Sequence, residues 1–135
     1  MTDIRLGPDR PTPDVDSEAW WQAVQDGRLM VSACRSCARR FLYARPFCPF
    51  CWSEDVESLP SSGRGTLYTW STIHQNSAPF DARTPYVVGM VDLDDGPRLM
   101  SAIEVPVAEL AAGMALVLAF RHDDDGFVVP VFRAA

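Results

Sequence analysis

Lysine is absent from this sequence of 135 residues, which holds only two histidines and four cysteines. All 12 basic residues are therefore arginines, and 18 acidic residues give a formal net charge of −6. This acidic balance argues against a nucleic-acid-binding protein, because such binding depends on a cationic surface. The scarcity of histidine, with every cysteine in one motif, also leaves few groups for acid–base or nucleophilic catalysis.

Apolar runs long enough to cross a membrane are lacking as well. No stretch approaches the roughly 20 apolar residues that a spanning helix needs. The first 13 residues carry charges and three prolines in place of the apolar segment of a signal peptide. We therefore expect a cytoplasmic protein, in which thiols stay reduced and cysteines favour metal binding over disulfides.

The cysteines form two CxxC pairs that are ten residues apart. They are Cys34, Cys37, Cys48 and Cys51. This spacing predicts a zinc ribbon, in which two tight turns each supply two thiolates to one tetrahedral ion at about 2.3 Å. The alternatives are two disulfides, which a chain with 47% hydrophobic residues does not need, or a redox pair, which leaves the other pair unexplained. Glycine often follows the second cysteine of such turns, whereas Ala38 and Trp52 stand there, a departure that bears on the turn geometry and not on the ligands.

One amphipathic helix is predicted after an extended, proline-punctuated arm at residues 1–13. Its N-cap candidates are Asp14, Asp16 and Ser17, its apolar stripe comprises Ala19, Trp20, Ala23 and Val24, and Gly27 ends it. Successive positions of a helix are turned by about 100°, so Trp20 and Trp21 cannot face the same core. One of the two therefore covers either a loop of its own chain or the surface of a partner, and Trp21 is the candidate contact.

Residues 28–45 contain five arginines and no acidic residue. The five are Arg28, Arg35, Arg39, Arg40 and Arg45. This arginine patch is either a solvated face that offsets the charge of the thiolates or a surface that recognises a phosphate or an acidic partner. Arg35, Arg39, Arg40 and Arg45 are the candidate contacts.

The second half of the chain predicts five antiparallel strands. After a polar connector at residues 53–62, we expect strands at residues 66–74, 86–93, 98–105, 115–121 and 127–132, with a helical turn at residues 106–110. This order is that of an OB-fold barrel. Gly63 and Gly65 indicate a bend that lets a small barrel close, and Pro130 indicates an edge or a bulge in the last strand.

A few side chains of this half are candidates for contacts or chemistry. Phe80, in a loop with prolines on both sides, is expected to be exposed at the loop tip and to contact a partner. His74 ends the first strand, where it either bonds backbone at the barrel rim or serves as a base. Tyr68 and Trp70 could stack on nucleic-acid bases, but their position in the first strand favours the barrel core.

The order of these features resembles a known family. It comprises Pro13-Asp14, a Trp-bearing helix ending in Gly27-Arg28-Leu29, the two CxxC turns, residues 63–70 (GRGTLYTW) and residues 85–89 (PYVVG). It resembles the OB-fold proteins called domain of unknown function thirty-five. The resemblance implies a mainly β chain with an N-terminal arm and helix (residues 1–30), a rubredoxin-like zinc ribbon (31–60) and a five-stranded OB-fold (61–135).

The resemblance also implies a function. Members accompany thiolase-like enzymes, including thiolase-type aldolases of steroid side-chain breakdown, and are associated with acyl-CoA. We therefore expect a non-catalytic accessory subunit with one zinc ion, a thiolase-like partner and a role in acyl-CoA metabolism of steroid or lipid side chains. The alternatives are a nucleic-acid-binding zinc-ribbon and OB module, and a subunit that lends a residue to a shared acyl-CoA active site.

Overall fold

A computed structural model describes residues 10–135 and divides them into a helix, a small sheet and a barrel. The helix is α1 (Glu18–Gln25), and the small sheet contains β1 (Met30–Cys34), β2 (Arg40–Phe41) and β3 (Val56–Pro60). The barrel contains β4 (Arg64–Ile73), β5 (Tyr86–Leu93), β6 (Arg98–Ile103), β7 (Ala115–His122) and β8 (Val128–Ala134). The predicted mainly β fold is thus confirmed. Within residues 10–135 no helix is long and apolar enough to span a membrane.

Helix α1 lies where the sequence predicts it and buries Trp20, Ala23 and Val24. Ala19, which the predicted stripe included, is exposed. The Ser17 side chain makes no capping bond to the helix; Asp14 accepts instead from the Ser17 N–H at 2.8 Å. Gly27 ends the helix at φ 82°, in the left-handed region that glycine adopts without strain.

The small sheet corrects one prediction, because residues 53–62 are not only a connector. Strand β3 lies within them and pairs antiparallel with all five residues of β1. Its composition does not indicate a strand, since Glu57 and Pro60 are residue types that strands disfavour. Strand β3 forms because it pairs with one edge of β1, and β2 pairs with the other edge.

The barrel strands follow the order β4-β5-β6-β8-β7, and β7 returns to β4 to close the barrel. All neighbours pair antiparallel except β6 and β8, which are parallel. The predicted helical turn between the third and fourth barrel strands is a short 3-10 helix, Val107–Glu109. The division of the chain at residues 30 and 60 stays a prediction, and residues 1–9 of the expected arm lie outside the described residues.

One apolar core joins the helix, the ribbon and the barrel. It is built from buried side chains of α1, of Leu29 and β1, and of the barrel strands: Trp20, Val24, Leu29, Val31, Leu67, Val91, Leu116 and Phe132 among others. A second, smaller cluster of Cys34, Phe41 and Cys48 lies inside the ribbon. The ribbon therefore packs against the barrel core through β1, while the ribbon's own apolar interior is small.

Tyr68 departs from its predicted place in the barrel core. The β4–β5 register shifts between Leu67 and Thr69, and this irregularity turns Tyr68 outward, where 54% of it is exposed. The Arg98 guanidinium covers its ring at 3.6 Å. Trp70 is half-buried against the core.

The start of the described chain is fastened to the β7–β8 hairpin by Arg10. Its guanidinium donates to Asp123 at 2.7 Å and to Asp125 at 3.0 Å, and it stacks on the Phe127 ring at 4.6 Å. The Arg10 and Asp123 side chains are only 6% and 10% exposed. Burial alone would raise the pKa of Asp123, but hydrogen bonds from Arg121 and Arg10 outweigh it and lower the pKa to about 2.

Arg10→Ala is expected to lower the free energy of unfolding by about 2 kcal/mol at pH 7, because the half-buried Asp123 loses one of its cationic partners. Arg98→Ala is the matched control: Arg98 also pairs with a carboxylate and stacks on a ring, but it is 44% exposed. It should cost no more than about 1 kcal/mol. Urea titrations measure the free energy of unfolding of both variants, and an equal loss of stability in the two would contradict the prediction. Because the folded-state pKa of Asp123 is lowered, its stabilising charge is retained above pH 4 and lost as the pH falls through about 2.

Candidate metal centre and neighbouring surfaces

The four cysteines meet at one point between the ribbon turns. Their sulfur atoms all lie within 4.8 Å of one another. The Cys34 and Cys51 sulfurs are 3.6 Å apart, as are those of Cys37 and Cys48. Cys34 and Cys48 are buried, whereas Cys37 is half-buried and Cys51 is exposed, so the cluster opens to solvent on one side.

Both turns adopt the same backbone geometry although neither carries the expected glycine. Ala38 and Trp52 take φ values of 65° and 67°, the left-handed conformation that glycine usually supplies. Their N–H groups donate to the carbonyls of Cys34 and Cys48, both at 2.9 Å. Trp52 also stacks on Phe47, with ring centres 5.2 Å apart. The turn geometry therefore persists, with local hydrogen bonds and stacking offsetting the strain of the left-handed residues.

Hydrogen bonds around the sulfurs hold the turns in register. The Cys37 N–H donates to the Cys34 sulfur and the Phe50 N–H to the Cys48 sulfur, both at 3.4 Å. The Ser36 and Ser53 hydroxyls bond each other at 2.8 Å and so link one turn to the other. These contacts orient the sulfurs toward a common centre.

The donor set fits a tetrahedral metal ion. Four sulfurs at about 2.3 Å from one ion would be separated by about 3.8 Å from each other, close to the two sulfur–sulfur distances of 3.6 Å. Four cysteine sulfurs in this geometry suit zinc, or iron as the other common occupant. The cluster is therefore a metal site by its chemistry, and zinc is its typical ion.

The sulfurs differ in their affinity for protons. A backbone hydrogen bond from Cys37 lowers the pKa of Cys34 to about 6. Burial alone would raise the pKa of Cys48, but backbone hydrogen bonds of its turn lower it. A backbone hydrogen bond from Ser53 lowers the pKa of Cys51, yet burial and the neighbouring thiols raise it overall to about 12. A bound cation supplies the positive charge that would let all four sulfurs ionise.

The arginine patch is largely neutralised by acids from elsewhere in the chain. Arg35 donates to Asp55 at 2.9 Å and to Glu57 at 2.8 Å, both contributed by the segment around β3. Arg28 and Arg40 each lie 3.6 Å from a carboxylate, Asp26 and Asp95 respectively. The sequence window without acids was therefore misleading, because the acids that meet it lie outside the window.

Two arginines of the patch remain without an acidic partner among the described residues. Arg39 stacks over the Phe50 ring at 4.8 Å, and Arg45 donates to the Tyr43 carbonyl at 3.5 Å. Arg39 lies two residues after Cys37, whereas Arg45 lines a separate pocket with Trp20 and Glu57. They are the members of the patch best placed to meet an external anion.

The two tryptophans border an apolar groove of about 480 Å³ between α1, the ribbon and the barrel, which we call the Trp-lined groove. Its walls include Trp20, Trp21, Tyr43, Met100, Val129 and Pro130. Trp20 is held by a hydrogen bond from its indole N–H to the Met30 carbonyl at 3.0 Å. Trp21 is half-buried and contacts Phe127 of its own chain, with ring centres 6.0 Å apart, so it covers the β7–β8 hairpin as one of the two predicted alternatives.

Phe80 is not an exposed loop tip, which corrects the prediction. It is half-buried and lies in a short 3-10 helix, Phe80–Arg83. There it lines a cavity of about 1160 Å³, whose wall also includes Val87, Ile103, Arg83, Arg121 and His122. His74, one residue beyond β4, is exposed and does not line this cavity.

Sequence reasoning missed several residues that shape these surfaces. Tyr43 and Met100 of the Trp-lined groove are 52% and 61% exposed. The alternation of β6 indicates Met100, because it stands at an outward position between the inward Leu99 and Ser101. Asp123 was not a candidate; its side chain is only 10% exposed and meets Arg10, and nothing local in the sequence indicates a partner 113 residues away.

Two family models match the chain. They are described as the rubredoxin-like zinc ribbon domain of ChsH2, over residues 21–57, and the C-terminal OB-fold domain of ChsH2, over residues 59–121. A solved structure described as the Ltp2-ChsH2(DUF35) aldolase is 30% identical and superposes with a TM-score of 0.83, covering 93% of this chain and 98% of that chain.

Two curated relatives carry names that refer to CoA thioesters. A probable enoyl-CoA hydratase alpha subunit of Thermomonospora curvata is 31% identical over 93% of this chain, which spans 40% of that relative's length. Subunit BbsA of the benzoylsuccinyl-CoA thiolase of Thauera aromatica is 34% identical over 62% of this chain and 58% of the relative.

Proposed function

This chain belongs to the family defined by the ChsH2 zinc-ribbon and OB-fold domains, called DUF35, and on that basis we propose that it is a non-catalytic accessory subunit of a thiolase-like enzyme. The observation that carries the proposal is the match to the Ltp2-ChsH2(DUF35) aldolase over 93% of this chain. A relative named as a thiolase subunit supports it. The partner of this chain would be a thiolase or a thiolase-type aldolase.

The proposed substrate class is an acyl-CoA, with an acyl group from a steroid or another lipid side chain. The CoA names of the relatives support the class. Within this chain, Arg39 and Arg45 offer guanidinium groups without acidic partners among residues 10–135, and a planar guanidinium suits CoA phosphates. Zinc would hold the two cysteine turns together, and the cytoplasm, which keeps thiols reduced, is the proposed location.

Turnover of acyl-CoA by the partner tests this proposal. The partner is assayed alone and together with this chain, and activity is expected to depend on the chain. Arg39→Ala should raise the KM for acyl-CoA by about three- to tenfold if its guanidinium meets a CoA phosphate. Arg35→Ala is the matched control, since Arg35 is already bound to Asp55 and Glu57, and it should leave KM unchanged. Equal turnover with and without the chain would refute the accessory role.

Nucleic-acid binding by the barrel is expected to be negligible. Residues 63–135 hold five arginines and nine acids. Four of these arginines are paired with carboxylates: Arg83, Arg98, Arg121 and Arg133. Tyr68, which could have stacked a base, is covered by Arg98. An anisotropy titration with single-stranded DNA or RNA at physiological salt should give a Kd no tighter than about 10⁻⁴ M, and micromolar binding with steep salt dependence would reverse the conclusion.

A further inference from the structure

Strand β6 pairs with its two neighbouring strands over unequal lengths. It pairs with β5 over five residues but with β8 over two, Ala102 with Val131 and Ile103 with Phe132. The first four residues of β6, from Arg98 to Ser101, therefore have a strand on one side only. This free edge of β6 faces the Trp-lined groove, which Leu99, Met100 and Ser101 help to line.

The β5–β6 ladder determines which backbone groups occupy this free edge. The hairpin closes with a hydrogen bond from the Leu93 N–H to the Pro97 carbonyl at 3.0 Å. Hydrogen-bonded and non-hydrogen-bonded pairs alternate along an antiparallel ladder, so residues 99 and 101 direct their N–H and C=O groups toward β5. Arg98, Met100 and Ala102 direct theirs away from β5.

Ala102 pairs with β8, but Met100 does not, because the β6–β8 ladder cannot extend from Ala102 back to Met100. To continue it, Met100 would need the N–H of residue 130 and the carbonyl of residue 128. Pro130 has no N–H. The Val128 carbonyl accepts from the Gln25 side-chain amide at 3.0 Å, and the Val128 N–H donates to the same amide at 2.9 Å. Among residues 10–135, no hydrogen bond outside the strand ladders reaches the N–H or C=O of Met100.

We propose that an extended segment of the thiolase-like partner adds to the free edge of β6 as a new strand and places its side chains in the Trp-lined groove. This inference rests on the proposed function, since it names the surface through which the accessory subunit binds its partner. The segment would donate one N–H to the Met100 carbonyl and accept from the Met100 N–H.

The chemistry of the edge favours an extended chain over other occupants. An open strand edge presents a donor and an acceptor on the same residue, and an added strand about 4.8 Å away satisfies both. A helix has no free backbone groups along its length to offer. An acyl chain would fill the groove but leave both Met100 groups unbonded.

The Trp-lined groove would contact the side chains of the added strand. Alternate side chains of an added strand point to one face, and on that face Trp20, Trp21 and Tyr43 form an aromatic wall. Tryptophan and tyrosine, the residue types of Trp21 and Tyr43, are among those that contribute most of the binding energy at protein interfaces. The inserted side chains should therefore be apolar.

Met100→Pro tests the inference in the complex of the full chain with its thiolase-like partner. Proline removes the Met100 side chain and the outward N–H but no hydrogen bond to β5, and its fixed φ is accepted at strand edges where that N–H faces solvent. We expect at least tenfold weaker affinity for the partner, with zinc content unchanged. Met100→Ala, the matched control, keeps the N–H and should change the affinity by threefold or less.

Hydrogen exchange of the wild-type protein gives a second readout that needs no folded variant. The Met100 amide should exchange at least tenfold more slowly in the complex, whereas the Leu99 amide, bonded to β5, should change little. If the complex forms but neither the exchange nor the Met100→Pro affinity changes, the inference is wrong while the proposed function stands. A dimer of this chain alone that Met100→Pro abolishes would also overturn it, and failure of the wild-type chain to form any complex would contradict both.

Discussion

Replacing Cys48 by serine is expected to unfold the ribbon and abolish metal binding. The Cys48 side chain is fully buried at the centre of the small ribbon cluster. That cluster contains too few apolar side chains to hold residues 34–56 together without the ion, and structural zinc sites contribute roughly 10–16 kcal/mol of apparent binding energy to folding. Elemental analysis should find one zinc per wild-type chain and none in Cys48→Ser.

Ser36→Ala is the control for this substitution, because Ser36 lies inside the first turn but supplies no sulfur. It removes the bond to Ser53 and should retain a full equivalent of metal, with a loss of stability of about 1 kcal/mol. A chelator should reproduce the effect of Cys48→Ser on the wild-type protein. Less than half an equivalent of zinc or iron with the four thiols in disulfides would contradict the metal assignment.

Gly65→Ala is expected to destabilise the barrel by about 3 kcal/mol, because the chain at the start of β4 has no room for a side chain. A Cβ at Gly65 would lie 2.6 Å from the Asp92 carbonyl oxygen and 2.8 Å from Val91. Gly65 pairs with Leu93 of β5 and Leu116 of β7, so the clash falls where β4 closes the barrel.

Urea unfolding followed by tryptophan fluorescence measures this loss. Thr66→Ala, one residue further along β4 and exposed, is the control and should cost less than about 1 kcal/mol. If Gly65→Ala were as stable as Thr66→Ala, the close approach of β4 and β5 would not be needed for closure. The metal content of both variants should equal that of the wild type, since neither residue contacts the ribbon sulfurs.

The elements that sequence reasoning placed well are those whose signals are local. Strand β5 has the predicted bounds, residues 86–93, because a run of β-branched and aromatic residues ends at a hairpin turn. The helix ends at Gly27 for a similar reason, and Pro130 marks the point where the pairing of β8 with β6 stops. The four cysteines come together because two short turns of fixed spacing can face each other.

The features that were missed depend on contacts between distant segments. Strand β3 exists because β1 offers it an edge, and its own composition argues against a strand. The arginine patch loses most of its free charge to acids such as Asp55 and Asp95, which no window around residues 28–45 includes. Phe80 lines the cavity of about 1160 Å³ although the loop that carries it is polar. The free edge of β6 follows from Gln25 and Pro130 together, a combination that only the folded chain reveals.

The mass of the particle formed when this chain is co-expressed with a thiolase-like protein encoded beside it tests the central proposal most directly. Size exclusion with light scattering should show both chains in one peak, at a mass that contains at least one copy of each, and the peak should persist on dilution to micromolar concentration. Two separate peaks at the masses of the individual proteins would contradict the account.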